Sequence, residues 1–326
     1  MRFLPIVFAM MFAVPAFGQE PALQKGQEAA EAFVTGQFAE LWDEMSPPVQ
    51  ALFGDIAGLE QFHQGVTDGF GAETEILSEH VTAIGDVSVY SRVSRWSLSE
   101  TPLITELAIG PDGEIVGFRV QPQPQLAESD YLDYDTKAEL TLPFKGDWLV
   151  VWGGRTLETN YHAVHRAQRF AIDVLISRDG NTHAGDPSVL ENYYCWDEPI
   201  LSPGKGTIAA VVADLPDNAI GATDAGNPAG NHVVIDFGNG EFAFLGHMRQ
   251  GSITLKPGDE IAAGQELGRC GNSGNTSEPH LHMHLQTTPT LAEGEGLPAF
   301  FNDYRADGAL VERGEPQAGQ TISATD

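Results

Sequence analysis

Apolar positions recur at three-and-four spacing through Ala22–Phe33, Phe38–Met45, Val49–Phe53 and Leu59–Phe70, the period of helices that bury one face. From Glu73 to Val120 the period shortens to two. VTAIGDVSVYSRVSRWSL, ITELAIG and IVGFRVQP alternate apolar and polar residues and are broken by Gly-Asp and Asp-Gly pairs, which predicts a meander of strands. Helices followed by strands make a small α+β domain over residues 19–122, with the helices against one sheet face. The next stretch, ending in QLAESDYLDYDTK, follows alternating prolines, is acidic and has no apolar period; it predicts a linker over residues 123–137. Beyond it, nearly every segment from Leu140 to Gln286 reads as a short strand bounded by Gly, Pro, Asn or Asp. An all-β domain of antiparallel strands is expected over residues 138–288. Residues 289–326 are punctuated by Gly and Pro and read as an extension that wraps back onto this domain and is partly disordered.

The length of 326 residues suits two domains. At the start, MRFLPIVFAMMFAVPAFG has one basic residue, an apolar run too short to span a bilayer, and Ala16 and Gly18 at small-residue cleavage positions. Residues 1–18 are therefore read as a signal peptide, which places the protein outside the cytoplasm, secreted or periplasmic, with no membrane span. A formal charge of -29 repels phosphate backbones and argues against nucleic acid as a partner. The two cysteines, Cys195 and Cys270, suit one disulfide in an exported protein or a pair of buried thiols. Their number excludes a Cys-rich zinc ribbon.

Candidate chemistry is concentrated in GNSGNTSEPHLHMHLQ, residues 271–286. Alternate residues of a strand share a face, so His280, His282 and His284 project in one direction and offer part of a tetrahedral zinc site. An isolated H-x-H pair also arises on a solvated strand face. The longer run from Phe244 to Leu285 resembles the lysostaphin/LytM-type zinc metallopeptidases, the duplicated hybrid motif peptidases. The matching features are Leu245, His247-Met248, Pro257-Gly258-Asp259, Gly264-Gln265, Gly271 to Thr276, and Pro279 to His282.

This resemblance implies an antiparallel β-sheet catalytic domain that binds zinc and cleaves peptide bonds, with peptidoglycan cross-links as the substrate class. It makes His282 a zinc ligand and His247 and His280 catalytic, beside a water whose pKa the zinc lowers. The family's earlier H-x-x-x-D corresponds to QRFAIDVL, residues 168–175, which makes Asp173 the acidic ligand. Arg169 stands where the family has histidine, and a guanidinium has no lone pair to give. Relatives with N-Y-H ahead of Q-R-aromatic-A-x-D favour His162 as the replacement, with His165 and His284 as alternatives. Arg169 also leaves open a second reading, a LytM-type domain without activity that binds peptidoglycan or activates a partner wall hydrolase. The α+β domain resembles the nuclear-transport-factor-two-like class in element order alone.

Overall fold

The computed structural model describes residues 19–84 and 86–325. The expected signal peptide lies outside the described residues. Two compact units meet in sequence between Gln123 and Pro124. Among the described residues, no helix is long and apolar enough to cross a membrane.

The first unit opens with α1 (Gln19–Thr35), α2 (Phe38–Asp43), α3 (Pro47–Phe53) and α4 (Ile56–Phe70). Pro47 suits the first turn of α3, where an amide hydrogen has no helical partner. Asp55 caps α4 by accepting from Gly58 N at 2.9 Å. Four strands then run as an antiparallel meander: β1 (Glu73–Ile84), β2 (Val87–Trp96), β3 (Leu103–Ile109) and β4 (Ile115–Pro122). Phe33, Leu41 and Leu59 from the helices join Tyr90, Leu103, Leu107 and Ile115 from the sheet in one core. Within it Arg92, almost wholly buried, pairs with Glu79 at 3.0 Å and Glu73 at 3.3 Å.

In the second unit the strands are β5 (Asp147–Trp152), β6 (Ile172–Leu175), β7 (Pro199–Leu201), β8 (Gly206–Val212), β9 (Asn231–Asp236), β10 (Phe242–Met248), β11 (Glu260–Ile261), β12 (Glu266–Arg269), β13 (Leu281–Gln286), β14 (Gly296–Leu297), β15 (Phe301–Ala306), β16 (Ala309–Gly314) and β17 (Thr321–Ala324). Among the described residues, one large sheet takes the order β11-β8-β9-β10-β13-β6-β5-β17-β15-β16, with β14 also on β13 and with β12 and β7 as a separate pair. All the pairings are antiparallel. The middle strands are buried on both faces, as in Leu281–Gln286, because each face of the sheet is covered. Trp148, Val150, Ile172, Val233, Leu245, Leu281 and Phe301 belong to its continuous core. Cys195 and Cys270 form a disulfide, with their α-carbons 5.9 Å apart.

Two segments differ from the sequence reading. Residues 123–137, expected to be a linker, are fastened to the second unit by polar contacts with no local signature. Lys137 N and Ala138 N donate to the two carboxylate oxygens of Glu241 at 2.6 and 2.8 Å, and the Tyr134 hydroxyl donates to Glu241 at 3.0 Å. Thr136 Oγ1 donates to Pro298 O. Residues 289–326, expected to be partly disordered, supply β14 to β17, and Ile322 is completely buried between β5 and β15. Glu241→Ala is expected to destabilise the protein by about 1–3 kcal/mol, because it strands part-buried amide donors. Urea unfolding would register this as a lower midpoint; an unchanged midpoint would mean that the fastening contributes nothing.

Candidate active site

The register of β6 against β13 sets Asp173 directly opposite His282, and that of β10 against β13 sets Gly246 opposite His282. Directly opposed residues share a sheet face at contact distance. Asp173 Oδ1 is accordingly 2.8 Å from His282 Nδ1.

His162 arrives from a 3-10 turn, Tyr161–Val164, ahead of β6. Asn160 organises that turn. Its amide nitrogen donates to Gly154 O and Ala171 O, both at 2.9 Å, which turns its oxygen toward His162. That oxygen accepts from His162 N at 3.1 Å and from His162 Nδ1 at 3.0 Å. With the proton committed to Nδ1, Nε2 presents a lone pair, and it stands 3.4 Å from Asp173 Oδ2. Two acceptors facing each other in a buried site repel unless a cation lies between them. His162, Asp173 and His282 each offer a ligand atom, all within 4.8 Å of one another and all buried. This donor set fits a divalent metal ion of the kind that takes nitrogen and oxygen ligands.

His247 follows Gly246 at a bulge in β10 and has a φ of 60°, a left-handed conformation that histidine rarely adopts. The GNSG segment holds it there. Ser273 O accepts from His247 Nδ1 at 2.8 Å, while Ser273 Oγ donates to Met248 O at 2.7 Å and accepts from Asn231 N at 2.8 Å. Gly274, with φ 88°, passes so close to the opposite loop that a Cβ would stand 2.4 Å from Gly230 N, so the turn requires glycine. His280 donates from Nδ1 to Glu278 O at 2.9 Å, leaving Nε2 3.8 Å from Asp173 Oδ2. The His247 and His280 rings are 4.6 Å apart.

Burial lowers His162 to about 3, and burial followed by the neighbouring imidazoles of His280 and His282 puts His247 well below the ordinary histidine range. Burial alone would raise Asp173, but the surrounding imidazoles of His162, His280 and His282 outweigh it and hold the carboxyl well below its usual value. Asp173 therefore brings a negative charge into the buried site.

The structure thus brings together His162, Asp173, His247, His280 and His282. His165 is exposed and outside the ligand set. His284 turns its Nδ1 to His282 Nε2 at 2.9 Å and so stands behind that ring. Arg169 is employed elsewhere, donating to Ala127 O and Arg155 O, each at 3.0 Å. Cys270 is consumed by its disulfide. Two site residues were not anticipated. Asn160 had only the N-Y-H triplet as a signal. Tyr161 lies with its hydroxyl 3.5 Å from Asp173 Oδ2 and its ring 3.9 Å from that of His162. Desolvation, then the Asp173 charge, raises its pKa well above that of a free phenol, so it remains a donor.

An antiparallel sheet holds a carboxylate and two imidazoles together, with two more imidazoles opposite, and so defines a β-sheet protein with a buried His-Asp-His donor set that could hold a metal ion. Residues 195–293 match Peptidase family M23, and over them the resemblance to the lysostaphin/LytM-type peptidases is borne out. His162 and Asp173 precede the matched residues. A stretch of 90 residues is 33% identical to peptidoglycan DD-endopeptidase ShyA of Vibrio cholerae, covering 26% of this chain and 20% of that relative. Among solved structures, the chain is similar to a mutant catalytic domain of the prophage-encoded M23 protein EnpA from Enterococcus faecalis (22% identity, 49% of this chain, 94% of that one, TM-score 0.30). It is also similar to the catalytic domain of lysostaphin from Staphylococcus simulans (17% identity, 45% of this chain, 85% of that one, TM-score 0.28).

Proposed function

We propose that this chain is an exported zinc metalloendopeptidase that hydrolyses peptide cross-links of peptidoglycan. The observation that carries the reading is the lone pair of His162 Nε2 aimed at a carboxylate oxygen 3.4 Å away, with His282 closing the donor set. The M23 match and the DD-endopeptidase relative support the peptide bond and the wall as substrate. Export rests on the composition of residues 1–18.

Held by His162 Nε2, Asp173 and His282 Nδ1, zinc would supply Lewis acidity, polarising the scissile carbonyl and making water more acidic. The chain's own groups divide the remaining work. His247 and His280 each spend the Nδ1 proton on a backbone carbonyl, so each meets the substrate with an unprotonated Nε2. Either can take the proton of the attacking water and return it to the leaving amine. Tyr161 keeps its hydroxyl proton and can donate to the oxyanion that forms at the attacked carbon. Asp173 carries the negative charge that a cation in this buried place needs as its counterpart. Arg169 motivates the alternative, an inactive, metal-free domain; Arg169 donating to two carbonyls and His162 standing beside Asp173 favour the catalytic reading.

The test is digestion of purified sacculi by the zinc-loaded protein, with mass spectrometry of the released fragments. The expected products are uncross-linked peptides with new amino termini, abolished by a chelator and restored by zinc. Intact cross-links at stoichiometric zinc would overturn the activity.

A further inference from the structure

We propose that His284 and Gln286 form a directed hydrogen-bond relay that fixes the tautomer of His282, so that its Nδ1 lone pair faces Asp173. This rests on the reading of His282 as a metal ligand and adds to it a positioning residue, His284.

His282, His284 and Gln286 alternate along β13, share one face and are all buried. His282 Nε2 is 2.9 Å from His284 Nδ1, and His284 Nε2 is 3.1 Å from Gln286 Oε1. Neither distance alone says which atom donates. The direction is set at the far end. Gln286 Nε2 lies among the backbone oxygens of Thr288 at 2.8 Å, Thr290 at 2.7 Å and Glu293 at 3.1 Å. Rotating the amide would press its oxygen onto three carbonyls, so the nitrogen must point into that cage and the oxygen toward His284. His284 Nε2 must then carry a proton to meet that oxygen. In the neutral ring this leaves Nδ1 as an acceptor, which takes the Nε2 proton of His282. The remaining nitrogen of His282, Nδ1, is left with its lone pair 2.8 Å from Asp173 Oδ1. Phe244 is paired with His284 in the β10–β13 register and stacks on its ring at 4.8 Å, 7° from parallel. That wall holds the imidazole plane in line with both partners.

The alternative tautomer of His282 would donate from Nδ1 to Asp173 and so block the metal position. The relay excludes it by presenting an acceptor to Nε2. Groups that orient a ligating histidine in this way typically change metal affinity by about 10–100-fold when removed.

The experiment combines two readouts on the full chain. Zinc affinity is measured by chelator competition for wild type, His284→Leu, Gln286→Leu and His284→Asn. Imidazole 15N NMR of zinc-free protein reports which His282 nitrogen is protonated. The proposal expects a proton on Nε2 in wild type and a shift to the Nδ1 form in His284→Leu. It expects zinc binding to weaken about 10–100-fold in His284→Leu and Gln286→Leu. In His284→Asn, whose Oδ1 takes the place of Nδ1, affinity returns to near that of wild type. A His282 that carries no Nε2 proton in wild type would overturn the relay, as would His284→Leu binding zinc like wild type. A wild type that binds no zinc but keeps Nε2 protonated would instead sink the metal reading and leave the relay standing. Unfolding midpoints identify a variant that has lost its fold, and His284→Asn keeps the proposal testable if His284→Leu does.

Discussion

Replacing His282 with alanine is expected to remove zinc from the protein and to lower peptide cleavage by a factor on the order of a thousand or more. The expectation follows from where the residue sits. His282 supplies one of three ligand atoms within 4.8 Å of one another, and its removal leaves His162 and Asp173 as a two-ligand remnant. Plasma mass spectrometry of the purified protein would give about one zinc per chain in wild type and close to none in His282→Ala. Asp173→Ala and His162→Ala should behave alike, whereas His165→Ala should keep its metal, since His165 is exposed and outside the set. Zinc retained by His162→Ala would show that another residue fills that place.

His247 and His280 should separate metal binding from chemistry. His280→Ala and His247→Asn are expected to retain stoichiometric zinc yet lose about 10²–10⁴-fold in kcat, the usual range for removing a proton-transfer group. Asparagine is the appropriate substitution at His247 because it tolerates the left-handed backbone, φ 60°, that this position requires. Alanine there would add a backbone cost and confuse the comparison. Metal analysis alongside steady-state cleavage of a defined cross-linked peptide makes the test. Loss of zinc in either variant would move that histidine from the proton-transfer role to metal binding, and unchanged kcat would remove it from the reaction.

Local signals made much of this molecule legible. Helix-period apolar spacing places Leu59–Phe70 within α4, and the Asp112-Gly113 pair falls at the turn between β3 and β4. The run from Phe244 to Leu285 carried its chemistry in the order of its residues, and the GNSG turn acquires a physical meaning as the holder of His247. Residues whose partners lie far away in sequence were harder to read. The stretch 123–137 resembles a linker because its anchor, Glu241, stands about a hundred residues later. Ala309–Gly314 is an edge strand with little burial, so it lacks the alternation that marks a core strand. His284 could be counted as a third imidazole on the strand face. Only the positions of Gln286 and the carbonyls around it reveal that its lone pair is already committed.

The placement of β17 bears on when the protein becomes competent as it is made. Trp148 pairs with Ile322, so the outer edge of β5 stays open until β17 has docked. On its other edge β5 supports β6, the strand of Asp173. Such distant pairing is slow to form, and an open strand edge invites association with other chains. Docking of β17 therefore completes the support of β5 and, through it, of the strand that carries Asp173, which ties maturation of the centre to completion of the sheet.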